Sequence, residues 1–202
     1  MFIVFEGVDR SGKSTLSKLF CDYLNTTEGM QVLLQKDKDV LPKYLWTKEP
    51  QFTTEEADRL NSDEFKDEYK REAFFFSDRI KHQAFLKNPN VICDRYLWTG
   101  LAYAKKFSPN CYPAVEHLYV DKAIFKMPDL YIYVDTDLKV CHERDTTVGF
   151  ERLQSIRDAY KSAAPLVQEL TPIIWTSAEG TPEESLEILK TKFKDFMAVK
   201  KS

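Results

Sequence analysis

Ile3-Val4-Phe5-Glu6-Gly7-Val8-Asp9-Arg10-Ser11-Gly12-Lys13-Ser14-Thr15-Leu16 is the stretch whose reading decides the fold. It holds the pattern Gly7-x-x-x-x-Gly12-Lys13-Ser14, directly behind an apolar strand-like run and ahead of a helical pattern. That is a phosphate-binding loop. Gly7 and Gly12 let the backbone fold tightly enough to aim successive N–H groups at a phosphate. Lys13 supplies a point charge for the outer phosphates, Ser14 offers a hydroxyl to Mg²⁺, and the following helix presents its positive end. The plain alternative is a glycine-rich turn with no ligand. The strand before and the helix after weigh against it, so the loop implies binding of a nucleoside triphosphate.

Outward from the loop, short apolar runs alternate with longer helical patterns, which predicts an α/β protein with a parallel sheet covered by helices. The strand candidates are residues 2–5, 32–35 or 44–47, 91–93, 130–134 and 173–175. Helical patterns cover residues 13–25, roughly 54–86, 114–125, 138–144, 150–170 and 182–199. Lys36–Lys43 is polar, ends beside Pro42, and reads as a loop or hairpin tip. In such sheets ligands lie outside the carboxyl ends of the strands. Three chemistry-bearing clusters fall there: the loop, Thr47-Lys48-Glu49-Pro50, and Asp94-Arg95-Tyr96.

Composition narrows the class. A length of 202 residues suits one domain with one substantial core, and 43% hydrophobic with 30% charged residues describes an ordinary globular protein. The net charge of −3 gives no reason to expect broad nucleic-acid binding. Cys21, Cys93, Cys111 and Cys141 lie far apart, which argues for reduced packing cysteines over a zinc site or disulfide framework. With no apolar run of membrane-spanning length and a strand starting at residue 2, neither a membrane span nor a signal peptide is expected. The cytosol is the expected compartment, with the nucleus as an alternative.

Several side chains then acquire candidate roles. Asp94 follows an apolar strand, where phosphate-loop enzymes place a carboxylate for Mg²⁺; its plain alternative is an acid accepting turn N–H groups. Arg95 offers a planar fork to a phosphate or a salt bridge to Asp94 or Glu49. Arg10, inside the loop, can reach a transferring phosphoryl group in cis; its plain alternative is an exposed surface arginine. In Phe74-Phe75-Phe76 successive residues point about 100° apart, so the rings cannot share one core. Phe76 and Ile80 form one pair, expected as a core stripe, while Phe75 and Arg79 form another. An aromatic plane beside a guanidinium suits a nucleobase, but the pattern alone leaves Phe75 equally readable as core. Arg144, Arg152 and Arg157 suit either a cationic lid or a charged helix face. His82, His117 and His142 lack metal-ligand spacing and receive no role.

Read together, these residues resemble the thymidylate kinase family, in particular its eukaryotic and poxviral branch. The matches run in order along nearly the whole chain. Phe5 to Thr15 resembles that branch's phosphate loop with its Asp9-Arg10 pair. Thr47-Lys48-Glu49-Pro50 resembles T-R-E-P or F-P-x-R, and Phe75-Phe76-Ser77-Asp78-Arg79 resembles F-x-x-x-R. Asp94 to Tyr103 resembles D-R-Y-x-x-S-G-x-A with a closing aromatic, and Pro128-Asp129-Leu130 resembles a P-D-L strand entry.

The resemblance implies a three-layer phosphate-loop nucleoside monophosphate kinase fold with a central parallel five-stranded sheet. Residues 1–202 would form a single kinase domain, with a lid at about 144–150. It implies transfer of the ATP γ-phosphoryl to dTMP with Mg²⁺, giving dTDP and ADP for dTTP biosynthesis, in a homodimer. ATP would be held by Gly7, Arg10, Ser11, Gly12, Lys13, Ser14, Thr15 and Arg144, and Mg²⁺ by Ser14 and Asp94. Arg10, Lys13, Asp94 and Arg95 would carry catalysis. For the acceptor, Asp9 would contact the sugar 3′-hydroxyl, Phe75 would stack on the base and Arg79 would hydrogen-bond it. Lys48 and Arg95 would meet its phosphate, Thr99 would take a base-contacting position, and Tyr103 a ring position favouring deoxyribose.

Four features depart from the pattern. Lys48 replaces an arginine, roughly ten residues (36–45) are inserted before it, the lid is short, and Trp98 adds bulk beside Thr99. They leave a modified pyrimidine open as acceptor. A deoxynucleoside kinase, which would want Glu49 or Asp94 as general base, is the alternative enzyme. A nucleotide switch is disfavoured, because no N-K-x-D guanine signature is present.

Overall fold

The computed structural model describes residues 1–33, 43–60, 63–121 and 124–200. Its centre is a five-stranded sheet of β1 (Phe2–Glu6), β2 (Leu45–Lys48), β3 (Val91–Asp94), β4 (Leu130–Val134) and β5 (Ile173–Thr176). The spatial order is β2-β3-β1-β4-β5, and every pairing is parallel. The inner strands are apolar up to their carboxyl ends, where Glu6 closes β1 and Asp94 closes β3, because both faces are covered. Alternate residues feed opposite cores. Phe2, Val4, Cys93 and Tyr131 join one core with α5 (Leu97–Phe107) and α8 (Phe150–Leu170); Ile3, Phe5, Ile92 and Ile132 join the other with α1 (Lys13–Leu24) and α9 (Pro182–Lys200). The architecture is the expected three layers. β1 lies between β3 and β4, which opens a crevice beyond their carboxyl ends.

The competition for the second strand resolves in favour of residues 44–47. β2 pairs with β3 so that Lys48 stands opposite Asp94, and Glu49 N–H donates to Asp94 O at 2.9 Å. Val32 lies instead in a helix, α2 (Thr27–Leu33). Residues 34–42, and with them most of the expected loop and insertion, lie outside the described residues.

The expected helix over roughly 54–86 is broken. Thr53 and Glu56 form a reciprocal capping box on α3 (Thr54–Arg59), and Asp67 caps a fresh helix, α4 (Glu68–His82), by accepting Lys70 N–H. Each cap satisfies helix-start N–H groups, so two separate starts replace one long helix. The segment expected at 114–125 is a shorter α6 (Tyr112–Val120), while α7 (Leu138–Arg144) and α8 match their expected bounds. Helix α5 carried no local start signal, because its cap comes from elsewhere. Tyr96 and Thr99 N–H groups donate to the carboxylate of Glu6 at the end of β1.

Candidate active site

The backbone of the phosphate loop needs its glycines. Gly7 has φ 148°, and a Cβ there would stand 2.7 Å from Val134 O. Gly12 has φ 90° and precedes α1 without any side-chain cap, so the first N–H groups of the helix stay available to an anion. Lys13 is buried and donates to Val8 O at 3.2 Å. Burial, seconded by the charge of Arg95, brings its ammonium down to about 8. Thr136 secures the loop from β4 by donating to Ser11 O at 2.7 Å.

A cavity of about 710 Å³ opens over this loop, walled by Gly12, Lys13, Ser14, Thr15, Arg144 and Pro182 among others. Arg144 donates to Arg10 O at 3.1 Å and to Ala178 O, so it clamps the loop from α7. The Arg10 guanidinium pairs with Asp145, the residue that follows α7. Thr147 holds the other oxygen of Asp145 through its N–H at 3.0 Å and its hydroxyl at 2.6 Å.

A second cavity, about 490 Å³, lies beside the first and is lined by Phe75, Arg79, Thr99, Gly100, Tyr103 and Arg152 among others. The two share Asp9 and Arg95 as walls. There Arg95 pairs with Asp9 Oδ1 while the Tyr103 hydroxyl donates to Asp9 Oδ2 at 3.1 Å. Burial opposes the ionisation of Asp9, yet Arg95 foremost, with Lys13 and the Tyr103 hydroxyl, holds its carboxyl below the usual range. Arg10 and Arg95 both adopt left-handed backbones, with φ 63° and 71°. Non-glycine residues accept such strain, about 1–3 kcal/mol each, where the surroundings enforce it, and often at functional sites.

Beneath Arg95 lies Glu6, which sequence reasoning left without a role. Its fully buried carboxylate accepts the Thr99 hydroxyl at 2.5 Å and the Tyr160 hydroxyl at 3.2 Å, besides the two N–H groups of α5. Burial pushes this carboxyl up, against the pull of those bonds and of Arg95. The signal for Glu6 is a charged residue closing an otherwise apolar buried strand. Tyr160, ten residues into α8, carried none.

Asp94 is buried, and its Oδ1 has no hydrogen-bond partner. A buried carboxylate oxygen is normally satisfied, so the orphan fits a cation. No cluster of three metal-ligating side chains occurs among the described residues. Mg²⁺ takes one or two carboxylates and completes its shell with phosphates and water, so the unpartnered oxygen of Asp94 fits it.

The three phenylalanines separate as helix geometry demands. Phe74 packs on Phe52 and Phe65, Phe76 packs on Phe125, and Phe75 lines the second cavity beside Arg79. Ile80 departs from expectation. It is 43% exposed, because the covered side of α4 at that level runs through the buried Asp78 and His82. Trp98 is a second correction. It is fully buried among Tyr131, Tyr133 and Tyr160, with its indole N–H donating to Tyr160 O at 3.1 Å, and so adds no bulk to the cavity. Thr99 lines the cavity, with its hydroxyl committed to Glu6. Lys48 is exposed at the end of β2 and lines neither cavity. Arg157 is tied to Asp135 at 2.7 Å on another face, whereas Arg152 sits over the Phe107 ring on the cavity rim.

A family model described as thymidylate kinase matches residues 5–171. The chain belongs to the thymidylate kinase family. Members of this family are nucleoside monophosphate kinases with ATP as phosphate donor. A protein of Pyrococcus abyssi named "Probable thymidylate kinase" is 31% identical, over 94% of this chain and 95% of its own length. One of Methanocaldococcus jannaschii bearing the same name is 28% identical over 91% and 90%. A "Thymidylate kinase" of Ehrlichia ruminantium is 28% identical over 80% and 81%. Among the described residues of this family member, no helix is long and apolar enough to cross a membrane, and all four cysteines are free and buried.

Proposed function

We propose that the protein transfers the γ-phosphoryl of ATP to the 5′-phosphate of dTMP, giving ADP and dTDP for dTTP synthesis. The observation that carries this reading is the pair of cavities meeting at Asp9 and Arg95. A donor triphosphate on the loop and an acceptor phosphate at Arg95 would face each other across that boundary. An acceptor phosphate oxygen bonds to the γ-phosphorus as the bond to the β-bridging oxygen breaks, and ADP departs with that electron pair. Such transfer needs positioning and charge neutralisation above all.

Gly7, Ser11, Gly12, Lys13, Ser14 and Thr15 hold the donor's phosphates, with Arg144 bracing the loop. Arg10 leaves Asp145 for the transferring group, and residues 144–150 form the lid. Mg²⁺ would be held by Ser14 and Asp94, where it would supply charge neutralisation to the phosphates. Phe75 stacks on the acceptor base and Arg79 hydrogen-bonds it. Tyr103 bounds the sugar and holds Asp9 toward its 3′-hydroxyl, while Thr99 stands behind the base. Arg95 and Arg152 take the acceptor's phosphate, with Lys48 left to the approach. A bare nucleoside is the weaker acceptor reading: both oxygens of Glu49 are engaged by Arg79 and His82, the other candidate base, Asp94, would hold Mg²⁺, and Arg95 and Arg152 at the acceptor cavity suit a phosphate.

ADP release with dTMP, dUMP, dCMP, dGMP, a base-modified dUMP and thymidine tests the reading: dTMP turns over faster than thymidine, and the reverse order overturns it. We also propose a single kinase domain working in the cytoplasm as a homodimer. Tyr69 (66% exposed) and Ile80 (43%) stand about three turns apart on one side of α4, an exposed apolar stripe that a second copy would cover. Light scattering of wild type against Ile80→Glu checks this.

A further inference from the structure

His82 has no exposed side-chain surface and stands on the last turn of α4, three residues beyond Arg79. Its Nδ1 lies 2.8 Å from Glu49 Oε1, and Glu49 Oε2 accepts the Nε–H of Arg79 at 2.9 Å. On the far side of the ring, Nε2 lies 3.0 Å from Thr47 Oγ1, which accepts from Gln51 Nε2 at 2.9 Å.

The chemistry of the groups gives this chain a direction. A carboxylate only accepts, so the hydrogen on Nδ1 points at Glu49. Nε2 then accepts the Thr47 hydroxyl hydrogen, and Thr47 keeps a lone pair for Gln51. Both oxygens of Glu49 are thereby committed, which fixes the plane of the carboxylate and, through Nε, the plane of the Arg79 guanidinium. Gly100 closes the other side: a Cβ there would stand 3.2 Å from Arg79 Nη1. Held at one edge and bounded at the other, Arg79 lines the wall of the second cavity.

We infer that His82 is a positioning residue of the acceptor site. It fixes Glu49, and Glu49 holds Arg79 so that its Nη donors meet a ring carbonyl oxygen of the acceptor base. The inference rests on the reading of dTMP as acceptor. Because a guanidinium only donates, a held Arg79 accepts a keto edge and rejects an amino edge, which leaves two donors facing each other. The lock therefore serves discrimination between thymine and cytosine as well as affinity.

Steady-state kinetics of His82→Phe, which keeps a ring of similar shape, test it. The KM for dTMP rises about tenfold, the loss expected for one hydrogen bond to a charged group. The kcat and the KM for ATP hold, and the preference for dTMP over dCMP shrinks. Thymidine affinity, read as competition, falls by the same factor as dTMP affinity, since the lock serves the base and not the phosphate. His82→Asn, whose amide nitrogen reaches the place of Nδ1, restores most of the loss.

Unchanged dTMP KM and unchanged dTMP:dCMP preference in both variants, with only a lower melting temperature, overturn the inference. Where neither variant folds, Thr47→Val reports instead: about a threefold rise in dTMP KM supports the lock, and none overturns it. A wild-type protein that fails to phosphorylate dTMP removes the acceptor reading itself. A wild type that turns over with variants unmoved removes only the role of His82.

Discussion

Asp9 and Arg95 face each other as an ion pair on the boundary shared by both cavities, one from the phosphate loop and one from the end of β3. Arg95 reaches that place from a left-handed backbone with φ 71°. Its Nη1 leans on the Thr99 and Tyr160 hydroxyls at 3.4 and 3.3 Å. The guanidinium is thus braced before any substrate arrives. Arg95→Lys replaces a two-pronged fork by a point charge. It raises the dTMP KM about tenfold or more, the scale of a lost charge-assisted bond, while thymidine affinity is unchanged. Equal loss for both ligands would move Arg95 away from the phosphate.

Arg10 is paired with Asp145, and in the proposed reaction it leaves that partner for the transferring phosphoryl group. A cis arginine of this kind acts mainly in the transition state, so Arg10→Gly lowers kcat roughly 10³-fold or more while ATP still binds. Glycine keeps the positive φ without strain. Stopped-flow turnover with parallel ATP titration decides it, and full turnover rejects the role.

Lys13 predicts a pH signature. Its ammonium titrates near 8 in the free site because burial disfavours the charge. Triphosphate oxygens favour the charged form, so the bound value is higher, and a group whose pKa rises on binding takes up a proton between the two values. ATP affinity therefore falls as pH rises past about 8. Calorimetry in two buffers of different ionisation enthalpy reads the uptake directly. Binding at about pH 9 without proton uptake would contradict this linkage.

Phe75→Ala removes the stacking surface and weakens dTMP and thymidine alike by about 1–3 kcal/mol, the scale for a base on an aromatic ring. If acceptor affinity survives and only the melting temperature drops, Phe75 belongs to the Phe52 cluster and not to the base.

Trp98→Ala separates core from cavity in the opposite sense. Its indole is fully buried, so truncation costs about 3–5 kcal/mol of stability. Base preference across the nucleotide panel stays where it was. A changed preference with an unchanged melting temperature would return Trp98 to the acceptor wall.

The loop, the sheet and the order of the motifs were legible because each is written locally: a run of apolar residues, a glycine at positive φ, a helix behind it. The second strand was ambiguous, since Val32 and Tyr44 both lie in short apolar runs and only pairing with β3 tells them apart. Trp98 looked like a cavity residue by its position next to Thr99, but adjacent helical residues point about 100° apart. The start of α5 and the place of Thr99 were illegible because their anchor, Glu6, is 93 positions away. The contact around Arg79 was hidden for the same reason: Arg79 and His82 stand on α4, Thr47 and Glu49 belong to the segment that closes β2, and His82 lies 33 positions from Glu49, so no spacing rule joins the two pairs.

Glu6 ends the strand that leads into the phosphate loop, and it also begins the helix that carries the acceptor wall. One carboxylate is therefore the common origin from which both halves of the reaction are measured. Residue 7 onward shapes the first cavity, proposed for the donor's phosphates, and residues 95–103 shape the second, proposed for the acceptor. On the proposed reading, the gap between reacting atoms would be a dimension of the folded frame, drawn before either nucleotide binds, and the segment 144–150 would have only to remove water from it.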